Sequence, residues 1–277
     1  MRTKSSKEEQ SDSPEKRTRQ VNREIAVFFI LACVFGWIFY ALHALGLDST
    51  DPGNLPLGPL VAALLVAAIM GRTGLREWWQ HLSTLRTRPG WYALAVVAPL
   101  VIIVSAVLAN YALGTPLPTA SQMAVWPELS VTFLFLLLFV GIGEEAGWTA
   151  FAAPRLLGRY SFVKSFALLS AMRIFWHLPL MLTGDLPLAL GVGGNIGFQF
   201  LVLWVFYRTD VWFLAAVWHA VVNTTGGEFF FTMVDGADQT RLGVLMSLMY
   251  LLVAGAVYLA MRRRPEQIGA LEEQPEG

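Results

Sequence analysis

The chain has 277 residues, of which 55% are hydrophobic and 14% charged, and its formal net charge is zero. A soluble domain is far less apolar than this, so the composition indicates a protein of the lipid bilayer, and we expect no nucleic-acid partner. The single cysteine, Cys33, excludes an intramolecular disulfide.

Apolar segments long enough to cross a membrane follow a polar start. Residues 1–24 are polar and of mixed charge, which predicts a disordered cytoplasmic tail. A transmembrane helix needs about 20 mainly apolar residues. Runs of about this length are 25–46, 91–113, 130–153, 161–183, 186–207, 211–232 and 242–261. A shorter run, 55–71, starts with two prolines, which a first helical turn tolerates.

Basic residues alternate between dense and sparse connectors. Seven lie in 1–24, four in 72–90 and three in 154–164, whereas 47–56 and 114–129 have none. Cytoplasmic loops carry the excess of Lys and Arg, so this alternation predicts that both termini are cytoplasmic and that the short run is also a span.

The sequence therefore predicts an all-α fold, a polytopic membrane helix bundle of about eight transmembrane helices. We expect a multi-pass protein of the cell membrane, with a transmembrane domain at 25–261 and a second cytoplasmic tail at 262–277.

Ionisable side chains inside these spans are the candidates for function. A charged group at the bilayer centre costs about 2.5–3.5 kcal/mol on insertion scales, so such residues are rare unless they have a role. The candidates are Glu144 and Glu145 in the fourth span, Arg173 and His177 in the fifth, and His219 and Asn223 in the seventh.

Three of these groups lie at one depth. Glu144, His219 and His177 are 11, 11 and 13 positions from the basic residue at the cytoplasmic end of their helix. At 1.5 Å per residue, this is roughly 16–20 Å for all three, so they can meet in one layer. The alternative is that they are only interhelical hydrogen-bonding groups.

Helical spacing separates the two glutamates and groups the last motif. Residues four apart share a helix face, which pairs His219 with Asn223. Consecutive Glu144 and Glu145 point about 100° apart, so one carboxylate should face the site while the other supports it. We assign His43 and His81 no role, and we expect Asn110, Asn195 and Gln199 to serve packing or backbone bonding. Close helix approach, or a place beside a substrate groove, is expected for Gly191, Gly193, Gly194 and Gly197.

The motifs EEAGWT (144–149), RIFWH (173–177) and HAVVN (219–223) resemble those of a protease family. Their order and spacing are similar to those of the CAAX prenyl protease and bacteriocin-processing (CPBP) family, also called the Abi or Rce1-like family. The resemblance covers residues 130–225. It implies an eight-helix intramembrane endopeptidase that cleaves a membrane-associated protein or peptide substrate.

Two positions depart from the family pattern. Thr149 stands where the family usually has arginine, and Arg173 stands where it usually has phenylalanine. We predict that the departures are linked, with Arg173 resupplying the missing guanidinium and pairing with Glu145.

The resemblance also implies roles. Glu144 would be the general base, His177 would hold the water, and His219 with Asn223 would form the oxyanion hole, while Glu145 and Arg173 support them. No cofactor is then required. A zinc enzyme is the alternative, with Glu144, His177 and His219 as the ligands. The spacing differs from H-E-x-x-H, and Asn223 is better suited to donating a hydrogen bond than to binding zinc.

Two other classes of function share these features. One is a non-catalytic membrane partner or immunity protein on the same fold, for which Thr149 is the main support. The other is a small transporter or proton relay, although the chain has no visible repeat. Prenylated CAAX proteins, leader peptides and other membrane-associated peptides all fit a midplane site reached from the cytoplasmic side or laterally from lipid.

Overall fold

The computed structural model describes residues 14–47 and 55–263, and this part of the chain is helical, with no strand. In chain order the helices are α1 (Pro14–Gly36), α2 (Ile38–Ala44), α3 (Gly58–Ile69), α4 (Gly71–Ser83), α5 (Pro89–Ala112), α6 (Ala120–Leu157), α7 (Phe162–Trp176), α8 (Leu178–Thr183), α9 (Leu190–Thr209), α10 (Phe213–Val221) and α11 (Gly236–Arg262). A π-helical stretch, Val222–Phe230, continues α10. The all-α prediction is confirmed over these residues.

Several helices begin or end where their sequence dictates. Pro89 lies in the first turn of α5, where its missing N–H costs nothing. Ser161 caps α7, because its hydroxyl accepts a hydrogen bond from the backbone N–H of Lys164. Gly184 ends α8 in the left-handed conformation, at φ +88°, which glycine adopts without steric cost.

Among the described helices, four are long and apolar enough to cross a membrane: α5, α6, α9 and α11. The pair α1 and α2, bent by 48°, makes a fifth if it is one span. The predicted span 55–71 corresponds to α3, which has 12 residues. The span 161–183 is divided between α7 and α8, and 211–232 passes from α10 into its π-helical stretch. About eight spans and cytoplasmic termini remain predictions.

The prediction of a disordered tail over residues 1–24 is wrong for its last part. The structure begins α1 at Pro14, while residues 1–13 lie outside the described residues. The helix extends because its polar turns have partners elsewhere in the fold. Glu24 lies 3.3 Å from Arg155 of α6, and Asn22 accepts a hydrogen bond from the hydroxyl of Tyr160 at 2.7 Å. The second predicted tail, 262–277, lies outside the described residues beyond position 263.

Most of the described basic residues lie at one end of the bundle, here called the basic end. Arg155 at the end of α6 contacts Glu24 of α1 and lies 3.7 Å from Glu77 of α4. The indole of Trp212, at the start of α10, donates to the carbonyl of Leu82 at 3.1 Å. These contacts hold together the start of α1, the amphipathic helix α4 and the connectors that follow α6 and α9.

The other end of the bundle, here called the far end, is linked separately. Arg241 of α11 donates to Asn110 Oδ1 at 2.7 Å and to Thr115 Oγ1 at 2.6 Å. The side-chain amide of Gln122 donates to the carbonyl of Met233 at 3.1 Å. The end of α5 and the starts of α6 and α11 therefore meet there.

Glycines let α6 pass close to two neighbouring helices. A Cβ added at Gly141 would lie 2.6 Å from the carbonyl oxygen of Ala216 in α10, and one at Gly147 would lie 2.4 Å from the carbonyl oxygen of Pro59 in α3. Real Cβ atoms do not approach oxygen this closely, so only glycine fits at either position. The glutamates between these two glycines are thereby held at the centre of the bundle.

Candidate active site

The two glutamates lie in a short α-helical part of α6, Ile142–Gly147, between π-helical turns Leu137–Gly141 and Trp148–Ala152. Such turns are rare in helices and are frequent at functional sites. Both side chains are buried, with 4% of Glu144 and none of Glu145 exposed. Glu144 lines a cavity, whereas Glu145 does not. The predicted divergence of the two carboxylates is therefore present.

Glu145 is the hydrogen-bond centre behind the cavity. Arg173 Nη2 donates to both of its oxygens, at 2.8 and 3.0 Å. The hydroxyl of Thr149, one turn along α6, donates to Oε2 at 2.5 Å. His219 Nδ1 lies 2.9 Å from Oε1. Four contacts from three side chains use the full accepting capacity of a carboxylate, so Glu145 is ionised and His219 Nδ1 carries the hydrogen.

Arg173 is the buried cation of the site, with 1% of its surface exposed. Besides Glu145 it reaches Glu144 Oε2, at 3.4 Å from Nη1, and Gln199 Oε1, at 2.9 Å from Nε. Its guanidinium also lies 5.2 Å from the ring centre of Phe198, within range of a cation–π contact. The predicted pairing with Glu145 is confirmed, and a guanidinium reaches this layer from α7 rather than from position 149.

His177 lies at the break between α7 and α8. Pro179, in the first turn of α8, has no backbone N–H and cannot continue the hydrogen bonds of α7, which explains the break. Trp176 fixes the end of α7, because its indole donates to the carbonyl of Ala32 in α1 at 2.9 Å. The Nδ1 atom of His177 is 2.8 Å from the carbonyl oxygen of Arg173. A carbonyl only accepts, so Nδ1 is the donor and Nε2 of the neutral ring is left as an acceptor.

The third motif comes from α10 and its π-helical continuation. His219 lies within α10, with its ring centre 5.0 Å from that of Phe198. Asn223 is in the first π-helical turn and is half-buried. Both residues line the same cavity as Glu144, as their predicted shared face requires.

One cavity of about 530 Å³ brings the predicted reacting groups together. Glu144 reaches it from α6, His177 from the break after α7, and His219 and Asn223 from α10 and its continuation. Glu145 and Arg173 are not in its lining and lie behind it, bonded to the residues that are. The arrangement separates groups that a bound molecule could touch from groups that hold them.

Gln199 is the member of this network that sequence reasoning missed, since it was expected to serve packing. Its carbonyl oxygen accepts from Arg173. Gln199 lies nine positions before Arg208, about 13.5 Å by the same count, so depth alone leaves it short of the layer of Glu144, His177 and His219. Asn195 does bond its own helix, donating to the carbonyl of Gly191 at 2.9 Å, and it also lines the cavity.

Two of the four glycines of α9 show the two roles that the sequence left open. A Cβ at Gly197 would lie 2.9 Å from the carbonyl oxygen of Tyr250, so this position needs glycine for close helix approach. Gly194 lines the cavity. The two remaining histidines are away from the site: His43 is in α2, and His81 is 3.5 Å from Asp210 near the basic end.

The predicted zinc ligands line one cavity, but they are not the set whose ligand atoms lie close together. Within the part of the chain that the structure describes, Glu144, Glu145 and His219 have ligand atoms within 4.8 Å of one another, and His177 is not in this group. The Arg173 guanidinium contacts both carboxylates, and its positive charge opposes a cation at the same oxygens. The donor set therefore does not fit a catalytic zinc ion.

Comparison with known families agrees with the motifs. A family model described as type II CAAX prenyl endopeptidase Rce1-like matches residues 126–225. The matched stretch contains α7, α8, α9 and α10, all but the start of α6, and the beginning of the π-helical stretch with Asn223. A search of curated proteins gives no significant match. Residues 126–225 are therefore a domain of the Rce1-like family, a family of proteases, as the three motifs predicted.

Proposed function

We propose that the chain is an intramembrane endopeptidase that hydrolyses a peptide bond of a membrane-associated protein or peptide. The observation that carries this proposal is the convergence of Glu144, His177, His219 and Asn223 on one cavity, with Glu145 and Arg173 behind it. Their membership of an Rce1-like domain supports the class of reaction at the level of the family.

Glu144 is the general base in this proposal. Its one bond to the network is the 3.4 Å contact with Arg173, so its carboxylate keeps accepting capacity toward the cavity. His177 complements it. One O–H of a water molecule can donate a hydrogen bond to Nε2 of His177, while the other O–H of the same water gives its proton to Glu144. The resulting hydroxide attacks the carbonyl carbon of the substrate.

His219 and Asn223 stabilise the oxyanion that forms. His219 donates through Nδ1 to Glu145, so a second N–H on Nε2 requires the imidazolium. The Asn223 amide supplies a second, neutral donor. The intermediate then collapses as the C–N bond breaks, and the proton held by Glu144 passes to the departing amine.

The function as proposed requires no metal or other cofactor. The carboxylate and the two donors supply what a zinc ion would supply, namely an activated water and stabilisation of the negative charge.

The departures from the family pattern are consistent with an enzyme. Thr149 still bonds Glu145, and Arg173 supplies the guanidinium. The non-catalytic partner or immunity protein is the second candidate, and it is distinguished by the absence of cleavage.

The test is a comparison of peptide N-termini created in membranes. Cells expressing wild type, Glu144→Gln or Glu128→Gln at equal levels would be compared by mass spectrometry of newly formed N-termini. Glu128 is an exposed glutamate away from the cavity and serves as the matched control. We expect termini that are present with wild type and Glu128→Gln and absent with Glu144→Gln. Identical sets of termini in all three would contradict the proposal and favour the partner function.

A further inference from the structure

The cavity lies in the half of the bundle away from the basic end. In α6, which runs toward Arg155, the lining residues lie at or before Glu144. In α10, which runs away from that end, they begin at His219 and continue into the π-helical stretch. The lining residues nearest the far end are Pro56, Leu136, Asp185, Pro187, Glu228 and Phe231.

On its other side the cavity is closed by buried aromatic residues. Trp148 and Phe151 follow the glutamates in α6 and are 1% and 0% exposed. The ring of Phe28 packs edge-on against Trp148, with ring centres 5.2 Å apart. Below them, Trp78 of α4 donates its indole N–H to the carbonyl of Ala146 at 2.9 Å. These residues separate Glu144 from the basic end of the bundle.

The mouth of the cavity carries charged groups that need water. Asp185 and Glu228 are exposed and line the cavity at the far end. A carboxylate in contact with hydrocarbon is costly, so these positions indicate a mouth at the aqueous surface rather than one opening only to lipid.

The distribution of basic residues indicates which side of the membrane the far end faces. In the described part of the chain, Arg241 is the one Lys or Arg at that end, and Asp238 neutralises it at 2.6 Å. The other Lys and Arg of the described residues that lie outside the spans are at the basic end. Cytoplasmic loops carry the excess of Lys and Arg, so the far end faces away from the cytoplasm.

We propose that the catalytic cavity is entered from the non-cytoplasmic side of the membrane. If the proposed function holds, the substrate is a polypeptide segment exposed on that side or emerging from the outer leaflet. This differs from the access that the sequence alone suggested, from the cytoplasm or from lipid. It also separates the substrate from a prenylated C-terminus, whose lipid and peptide lie at the cytoplasmic face.

Cysteine labelling in intact cells tests the direction of access without any need for catalysis. Cys33, the one cysteine, is first replaced by alanine. Single cysteines are then introduced by Asp185→Cys at the mouth, by Val222→Cys in the cavity wall and by Ser83→Cys at the basic end. Leu248→Cys, on an exposed face of α11 that does not line the cavity, is the lipid-facing control. The probe is a negatively charged thiosulfonate that does not cross membranes.

We expect the probe to react in intact cells at positions 185 and 222, to react at 83 only after permeabilisation, and to leave 248 unmodified. Reaction at 83 in intact cells, or reaction at 222 only after permeabilisation, would overturn the proposal. The same labelling is repeated with the Glu144→Gln variant, in which the proposed general base is absent. Because labelling does not require cleavage, it tests the direction of access even if the proposed protease activity is wrong. Any newly formed N-termini that depend on Glu144 should map to segments outside the cytoplasm, and termini in cytoplasmic segments would count against the substrate class.

Discussion

Neighbouring glutamates in α6 have unlike surroundings, and the proposed chemistry depends on the difference. Glu145 lies behind the cavity and contacts three donors, whereas Glu144 lines the cavity and makes one long contact with Arg173. A saturated carboxylate is held rigidly and is a poor acceptor for a further proton. The carboxylate with spare capacity is therefore the one that can take a proton from water, which is why the roles of the two residues are not interchangeable.

The exchange of charge between positions 149 and 173 makes a prediction about stability. Arg173→Phe would restore the residue usual in the family but leave Glu145 buried without its cation, a change that typically costs about 3–5 kcal/mol. Adding Thr149→Arg to that variant should recover at least half of the loss, because the guanidinium then reaches the same carboxylate from α6. Unfolding in detergent, measured for both single variants and the double variant, gives the coupling between the two positions.

Cleavage by the same four proteins is the second measurement of this cycle. We expect activity to follow stability, falling with Arg173→Phe and returning in part with the double variant. Strictly additive effects of the two substitutions, or an Arg173→Phe protein as stable and active as wild type, would show that the two departures are unrelated.

The donor set also predicts how the protein responds to chelators. The buried guanidinium lies against both carboxylates, so we expect activity to survive removal of zinc with little change. The measurement is the cleavage rate after strong chelation, with the metal content of the same sample determined by elemental analysis. Stoichiometric zinc in the active protein, with activity lost on its removal and restored on its return, would contradict the metal-free account.

At the scale of the helices, the site depends on close packing of α6 against α3 and α10. Gly147→Ala would place a methyl group 2.4 Å from the carbonyl oxygen of Pro59, so α6 would have to move and carry Glu144 with it. We predict destabilisation of about 1–3 kcal/mol, typical of overpacked cores, together with loss of cleavage. Thermal unfolding in detergent measures the first effect.

Gly255→Ala in α11 is the matched control for this substitution. Among the described residues, no atom other than those of its own helix backbone and chain neighbours lies within 4 Å of a Cβ at that position, and the residue is exposed on its helix. Replacing a helical glycine by alanine in open space should raise stability by about 0.5–1 kcal/mol. Equal effects of the two substitutions would mean that the contact with Pro59 is not what holds α6 in place.

Sequence patterns predicted the site better than they predicted the ends of its helices. Matched depth and helical spacing were enough to group Glu144, His177 and His219, because each is polar in an otherwise apolar run. The π-helical turns of α6 and the continuation of α10 could not be predicted, since they change the hydrogen-bonding partner of the backbone without changing the apolar composition. The stretch 72–90, expected to be a connector, contains most of the amphipathic helix α4, whose Leu and Trp spacing is that of a helix with one apolar face.

Long-range partners explain the remaining difference between expectation and structure. The charged turns of α1 have a composition typical of disorder, yet Asn22 and Glu24 bond residues more than 130 positions away. Gln199 lies in a largely apolar helix and shows its role only when Arg173 is found beside it. Neither contact leaves a local signal in the sequence.

At the scale of the whole molecule, the bundle provides a buried charge network, a cavity open at one end and an aromatic layer that closes the other. The Rce1-like domain supplies the proposed reacting groups. Helices α1, α3 and α4 lie outside the matched stretch and provide Phe28, Pro59 and Trp78 as packing partners. The proposed hydrolysis needs this division, because water must reach Glu144 without opening a path across the bilayer.

The most direct test of the central claim is the cleavage rate of purified protein in liposomes, on a peptide identified from the newly formed N-termini. A general base typically contributes 10²–10⁴-fold, so we predict that Glu144→Gln lowers the rate by at least about 10²-fold while its thermal unfolding stays close to that of wild type. A Glu144→Gln protein that is folded and cleaves within about twofold of the wild-type rate would contradict the account, because the group that general-base catalysis requires would then be dispensable.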